Sequence, residues 1–243
     1  MCRNVAFDFR GKRDSPEWKA WWDRAIFFGS LVPAVLWGVA FGNIVRGVAI
    51  DSSMEFTGSF FDLLNPFALL GGVVTLGLFV THGAVYLSLK TTDDVRVRAR
   101  ALAFRVGIVA TVAALAFLGW TWHLRRHAEH VGWFVVLAAL AAVALVAALV
   151  AIRAGREGWA FLGTAVTIAL ATAALFTSLF PEVMPSTTDA AYSLTTTNAS
   201  STPKTLRLMS WIAVVCTPFV VGYQAWTYVV FRRRIGVRNI PGA

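Results

Sequence analysis

Six long apolar runs, at about residues 25–46, 66–89, 103–124, 131–152, 158–180 and 207–231, dominate this chain of 243 residues. Crossing the roughly 30 Å hydrocarbon core of a bilayer takes about 20 residues of helix, and each run is that long. Lipid offers the backbone no hydrogen-bond partner, so a spanning segment must be a helix or a strand of a closed barrel. Barrel strands alternate apolar and polar residues, and these runs do not. The reading is therefore all-α: a polytopic membrane helix bundle with six transmembrane helices. It forms a single membrane domain over 1–243, with residues 181–206 as an outer loop. Composition argues the same way, since 57% of residues are hydrophobic and 14% charged, against about a quarter charged in soluble domains. A soluble enzyme, a disordered chain and a nucleic-acid-binding domain are excluded, despite a formal charge of +9.

The cations have a topological meaning, because Lys and Arg collect in cytoplasmic connections. Residues 1–24 hold Arg3, Arg10, Lys12, Arg13, Lys19 and Arg24, and 90–105 hold Lys90, Arg96, Arg98, Arg100 and Arg105. Arg153 and Arg156 mark the turn near 153–157, and Arg232, Arg233, Arg234 and Arg238 mark the tail. The alternate connections are poorer: 50–65 has Asp51, Glu55 and Asp62 without a cation, and 181–204 has Lys204 alone. Arg125 and Arg126 in the 124–130 turn are a mild exception. Both termini of this chain are expected in the cytoplasm, with the membrane crossed several times. The lipid bilayer is the partner of the basic excess; nucleic acid is not.

Local signals set the boundaries. Ser15-Pro16-Glu17, Asn65-Pro66 and Thr202-Pro203 each read as a cap followed by proline at the first helical position. Trp18, Trp21 and Trp22 recur at helical spacing, as in an interfacial helix leading into the first span. Trp120, Trp122 and Trp133 suit one aromatic belt and Trp159 the opposite one. Pro33 and Pro218 are expected to kink their spans. The Ser/Thr-rich stretch 186–202 reads as an exposed loop, in which Asn198-Ala199-Ser200 fits a glycosylation pattern that often occurs by chance. Cys2 and Cys216 are distant thiols, without a CxxC motif or a Cys/His cluster.

Ionisable groups inside a membrane are costly and usually functional, yet the span interiors contain no Asp or Glu. A self-contained proton relay has nothing to run on. His82, within the second span, is a weak candidate for a haem ligand. The bland alternative, a neutral histidine hydrogen-bonded to a neighbouring helix, is favoured. His123, His127 and His130 cluster at the other membrane face, roughly 20 Å or more in depth from His82. A haem bridging His82 and His123 is thereby excluded. His123 and His127 have a metal-like i,i+4 spacing, but beside Arg125 and Arg126 they read as a wet polar cap. No catalytic or metal-binding residue is expected.

The densest pattern lies between residues 29 and 91. Gly38 and Gly42, four apart, let a neighbouring backbone approach closely; Asn43 and Arg46 follow. A short acidic-aromatic stretch, FTGSFFDLLNPFALLGG, contains Asp62, Asn65, Gly71 and Gly72. It reads as an interfacial hairpin entering the second span. The third and fourth spans, rich in Ala, Val and Leu, read as scaffold or lipid-facing helices.

These strings carry a resemblance. VAFDFRGK (5–12), WWDRAIFFGSLVPAVLWGVAFGNIVRGV (21–48) and FTGSFFDLLNPFALLGGVVTLGLFVTHGAVYLSLKT (56–91) are similar, in order, to the subunit II family of cytochrome bd quinol oxidase. So are WAFLGTAVTIAL (159–170), FPEVMPS (180–186) and residues 194–231. Family members have nine helices; this chain opens where the third would end, as a truncated product, a mis-assigned start or a split gene would. The family's acidic group on a proton route falls in that missing part and has no counterpart here.

The resemblance implies a complex that oxidises quinol and reduces dioxygen to water, building a proton gradient without pumping. Haem b, haem d and the quinol site then belong to the partner, subunit I, and this chain is a haem-free scaffold, with room for a small accessory subunit. Gly38, Gly42, Asn43, Asn65, Gly71 and Gly72 would supply packing and interhelical hydrogen bonds. Arg46 and Asp62 would help the outer face dock, and Trp22 and Asp23 would fix the inner end of the first span. A stand-alone small transporter and a haem-b membrane anchor are the alternatives. The first needs ionisable or broken-helix sites at mid-membrane, the second two histidines at one depth.

Overall fold

The computed structural model describes residues 2–234 and residue 236. Met1 and Arg238 lie outside the described residues. Seven α-helices account for nearly all the regular structure: α1 (Cys2–Arg10), α2 (Pro16–Arg46), α3 (Pro66–Lys90), α4 (Asp93–Arg125), α5 (Val131–Arg153), α6 (Glu157–Leu179) and α7 (Pro203–Val230). Six of them, α2 to α7, are long and apolar enough to cross a membrane.

Helix boundaries follow the cap residues rather than the apolar runs. Asn65 caps α3 with its side-chain oxygen, accepting from Ala68 N at 3.0 Å, and Thr202 Oγ1 accepts from Thr205 N at the start of α7. Ser15 occupies the N-cap position of α2 in extended conformation but makes no side-chain cap bond; proline at the next residue suffices to start the helix. The helix α4 begins at Asp93, well ahead of its apolar run, so Arg96, Arg98 and Arg100 ride on a helix rather than in a loop. Both α2 and α7 continue through Pro33 and Pro218.

The polar N-terminal stretch also holds a helix that the sequence reading missed. Ala6 of α1 is fully buried against α2. Phe9 lies 5.6 Å from the Trp22 ring, and Trp18 Nε1 donates to Phe9 O at 2.9 Å. Arg10 adds two bonds to Asp23, at 2.6 and 3.1 Å; the carboxylate raises the Arg10 pKa, first through this hydrogen bond and then through its charge. The missed signal was Ala6 and Phe9 at a three-residue interval, the start of a helical stripe.

The bundle is built from tight antiparallel neighbours. Helix α3 lies between α2 and α4, α5 packs along α6, and contacts of α3 with α6 and α4 with α5 close the four into a bundle. Small residues set the close approaches. A Cβ placed on Gly77 would stand 2.9 Å from Ala110 Cβ, one on Gly107 2.5 Å from Leu149 Cδ2, and one on Gly163 2.9 Å from Ala148 Cβ. Aromatic stacking of Phe67 on Phe117, 4.7 Å apart, anchors a core cluster with Val45, Val74 and Leu179. A second cluster of Ala84, Val85, Ala103, Ile152 and Ala160 lies towards the other end. Helix α7 is different: none of its residues is buried. Just beyond its C-terminus, Lys90 Nζ donates to Phe231 O at 2.8 Å.

The two ends of the bundle differ. At one end the connections 47–65 and 181–202 interlock. Strands β1 (Glu182–Met184) and β2 (Leu194–Thr195) pair antiparallel, and Val48 bridges to Ser186. Val48 N donates to Pro185 O at 3.1 Å and Thr187 N to Val48 O at 3.0 Å. Gly47 makes this possible: it has φ +91°, and a Cβ there would fall 2.6 Å from Pro185 O. Part of the stretch read as an exposed loop is thus folded, with Ser193 only 5% exposed, because backbone hydrogen bonding across a long sequence separation leaves no local pattern.

Arg125 ties this loop end to the bundle. From the end of α4 its side chain donates to Ser178 O at 3.2 Å and to Glu182 Oε2 at 2.5 Å, satisfying a terminal carbonyl of α6. Arg125→Met is expected to destabilise this end by about 1–3 kcal/mol, since it leaves a carboxylate and a helix carbonyl without their donor. Hydrogen exchange should show faster exchange confined to about residues 178–196.

Candidate functional site

The crossing of α2 over α3 brings together most of the residues singled out between 29 and 91. A Cβ on Gly38 would overlap the Gly71 carbonyl oxygen, well within van der Waals contact, and stand 2.5 Å from Thr75 Oγ1. In return, a Cβ on Gly71 would fall 2.6 Å from Gly38 O. One turn along, Gly42 faces Ala68, whose Cα would lie 2.7 Å from an added Cβ, and Gly72 faces Val35 at 3.0 Å. Apolar helices in lipid gain little from burying surface, so contact at backbone distance is what holds such a crossing.

A polar network locks the loop end of the same crossing. Asn43, 7% exposed, donates from Nδ2 to Val39 O at 2.9 Å and to Leu63 O at 2.7 Å. Its Oδ1 accepts from Asn65 Nδ2 at 2.8 Å, while Asn65 caps α3. Between them lies a short 3₁₀ turn, Phe60–Leu64, held by a capping box in which Asp62 Oδ2 accepts from Ser59 N at 2.7 Å. Two amides, 22 residues apart in sequence, and one carboxylate thereby fix the entry of α3 to the end of α2. Arg46 and Asp62 line a cavity of about 370 Å³ together with Asn43, Asn65, Phe56 and Thr187.

Trp22 and Asp23 lie at the opposite end of α2, where they hold α1 as described above. His82 sits on α3 with Nδ1 2.7 Å from Thr164 Oγ1 of α6, and Phe161 stacks on its ring at 4.6 Å. His127 Nε2 accepts from Arg126 Nε at 3.1 Å and His130 stacks on Phe180 at 5.3 Å. Antiparallel packing of α3 and α4 sets this second group roughly 30 Å along the bundle from His82. Among the described residues no three His, Cys, Asp or Glu side chains cluster as metal ligands.

At the bundle centre, between α2, α3, α4, α5 and α6, lies a cavity of about 180 Å³ bordered by Gly38, Phe41, Thr75, Leu145, Thr167 and Leu175. Its threonines are spent within their own helices: Thr75, Thr111 and Thr167 donate to Gly71, Gly107 and Gly163 carbonyls at 3.0, 2.7 and 2.8 Å. The walls are apolar in effect. Ligand pockets usually offer about 300–1,000 Å³, and His82 is not among the residues bordering this smaller space. This cavity therefore does not fit a haem ligated by His82.

Sequence reasoning missed several residues that matter here. Gly47, Gly77, Gly107 and Gly163 were visible only as small residues in or beside apolar runs, and Glu157 as one carboxylate in a basic turn. Glu157 is 5% exposed and takes Arg96 Nε at 2.8 Å, joining α4 to α6.

Fold and site together define a polytopic helical membrane protein whose polar side chains bind helix to helix. The chain belongs to a family described as cytochrome bd terminal oxidase subunit II, whose model matches residues 1–231. It is 40% identical over 236 residues to cytochrome bd ubiquinol oxidase subunit 2 of Bacillus subtilis, covering 97% of this chain and 70% of the relative. It is also 35% identical over 273 residues to cytochrome bd-I ubiquinol oxidase subunit 2 of Escherichia coli strain K12, covering 98% of this chain and 72% of that one. Six apolar helices in a family of this kind make it a multi-pass membrane protein.

Proposed function

We propose that this chain is the haem-free scaffold subunit of a cytochrome bd-type oxidase, packed against a haem-bearing subunit I. The complex transfers electrons from two quinols to one dioxygen, giving two quinones and two waters. Protons for water are taken from the inner side and quinol protons leave on the outer side, so a gradient forms without pumping. The observation that carries this reading is the family match along residues 1–231. Charge distribution supports a bacterial cytoplasmic membrane with the basic end inside, since Lys and Arg gather at the ends of α3 and α5 and the start of α4.

What this chain's residues do is positional. The Gly38–Gly71 contact and the Asn43–Asn65 pair keep α2 and α3 in one geometry, which presents an unchanging face to the partner. Arg46 and Asp62, at the loop end, are the groups that would meet the partner's outer surface. Purification through a tag on this chain should recover a second polypeptide with b- and d-type haem spectra and quinol-dependent oxygen uptake. The isolated chain should show no Soret band. A Soret band from the chain alone would favour a haem-b anchor, and ion flux in liposomes containing it alone would favour a transporter.

His82 provides a separate check. Replacement by Gln keeps a polar partner for Thr164, so the complex should retain its full haem spectrum, with stability lowered by about 1 kcal/mol. Loss of one haem per complex in His82→Gln would make this residue a ligand.

A further inference from the structure

We propose that the seam between the first half of α4 and the α5–α6 turn binds the headgroup phosphate of an anionic phospholipid. Five arginines gather around it. Arg96 is committed to Glu157, at 2.7 Å, and Arg234 stands behind the same carboxylate at 3.9 Å. Arg100 reaches the turn itself: its Nη1 lies 3.0 Å from where a Cβ on Gly155 would stand, at a residue with φ +71°. Arg153 places its guanidinium over the Phe104 ring, 5.3 Å from the centroid, and Arg156 is exposed at the N-cap of α6.

The charge balance at this seam is one-sided. Nearby Asp94 is paired with Arg98, and Asp93, at the start of α4, accepts from Thr92 Oγ1 at 2.7 Å. That leaves Arg100, Arg153 and Arg156 with no carboxylate partner among the described residues. Three guanidinium groups around one turn repel one another at separations below the roughly 10 Å screening length. An anion with several acceptor oxygens relieves that repulsion, and planar guanidinium groups match phosphate geometry. A cleft of about 300 Å³ lined by Asp93, Arg96, Val97 and Arg100 opens on α4 beside the seam.

The neighbours identify the source of the phosphate as a lipid. Val97 of α4, on the wall of that cleft, is 57% exposed, and Trp159 of α6, one turn from Arg156, is 67% exposed, which sets an apolar surface and an interfacial tryptophan beside the cations. Acyl chains have a surface to lie on and the headgroup a cationic cradle above it. The bias of basic residues to one end of a membrane protein explains how many cations are present. It does not explain why three of them converge without counter-charges, whereas basic pockets between membrane helices are suited to acidic headgroups.

The test uses the complex purified through this chain and stripped of lipid in neutral detergent. Phosphatidylglycerol is titrated and bound lipid is counted by native mass spectrometry, with phosphatidylcholine and inorganic phosphate as comparison arms. Saturable retention of phosphatidylglycerol is expected, weakened about tenfold in Arg100→Gln/Arg156→Gln and unaltered in Arg13→Gln, a cation away from the seam. The single variant Arg156→Gln, at an exposed position, should retain the fold and show part of the loss if the double variant does not assemble. Equal retention by wild type and variants would overturn the proposal. So would equal retention of phosphatidylcholine, or displacement of the lipid by equimolar inorganic phosphate, which would make the seam a free-anion site.

Discussion

Replacing Gly38 by leucine should nearly abolish recovery of a haem-loaded complex. The added side chain must start well within van der Waals contact of the Gly71 carbonyl oxygen and 2.5 Å from Thr75 Oγ1. Backbone cannot move aside as a flexible side chain can, so α2 and α3 must separate along the whole crossing. Overpacking a well-fitted interior costs about 1–3 kcal/mol where side chains can adjust; here the obstacle is main chain and the cost lies at or beyond the top of that range. Separation also draws Asn43 away from Leu63 O and Asn65. The measurement is the yield of complex with its Soret absorbance per unit of membrane, expected to fall at least about tenfold. Gly83→Leu and Gly119→Leu, where an added Cβ meets nothing within 4 Å, should leave that yield near wild type. Unchanged haem loading in Gly38→Leu would remove the crossing from the proposed scaffold role.

Asn43→Leu should loosen the loop end while leaving the rest of the bundle folded. Three hydrogen bonds disappear, to Val39 O, Leu63 O and Asn65 Nδ2. Val39 O keeps its helical partner, the backbone N–H of residue 43, which the substitution leaves in place. Leu63 O is orphaned and Asn65 Nδ2 retains only Asp62 O, at 3.1 Å. Each unsatisfied group costs about 1–3 kcal/mol when shielded from water, so roughly 2–4 kcal/mol of local stability should be lost. Hydrogen exchange over about residues 59–68 should accelerate by about a hundredfold, with exchange in α5 and α6 unaffected. Comparable acceleration throughout α2 to α6 would mean that the network supports the bundle as a whole. Asn65→Ala should act on the same segment, and because both residues share one network the double variant should fall short of the sum of the two losses.

How far the sequence announced all this differs from residue to residue. Asn65 could be read as a cap because capping is local: the oxygen reaches an amide three residues on, and proline follows. Gly38, Gly42, Gly71 and Gly72 could be read as a smooth surface, since small residues at helical spacing need only the period of their own helix. Their pairing could not. Gly38 meets Gly71 and Gly42 meets Ala68 through an antiparallel register that nothing within either run encodes. Arg125 looked like an exception to the charge pattern, and its position between Ser178 O and Glu182 explains why a cation is kept at the loop end. The helix α1 was hidden by its polar composition, and the folded part of 181–202 by its dependence on Val48 and Pro185, far away in sequence.

By itself the sequence determined the solvent, the helical class, the number of apolar helices and the distribution of cations between connections. Those properties depend on each segment's own length, period and composition, which a chain states residue by residue. The tertiary structure alone decided which glycine faces which backbone, that His82 meets Thr164, and that α7 runs with none of its residues buried while the other long helices bundle. In lipid one apolar helix face is worth nearly as much as another, so partners are chosen by shape and by a few polar bonds, both of which exist only once the helices stand side by side.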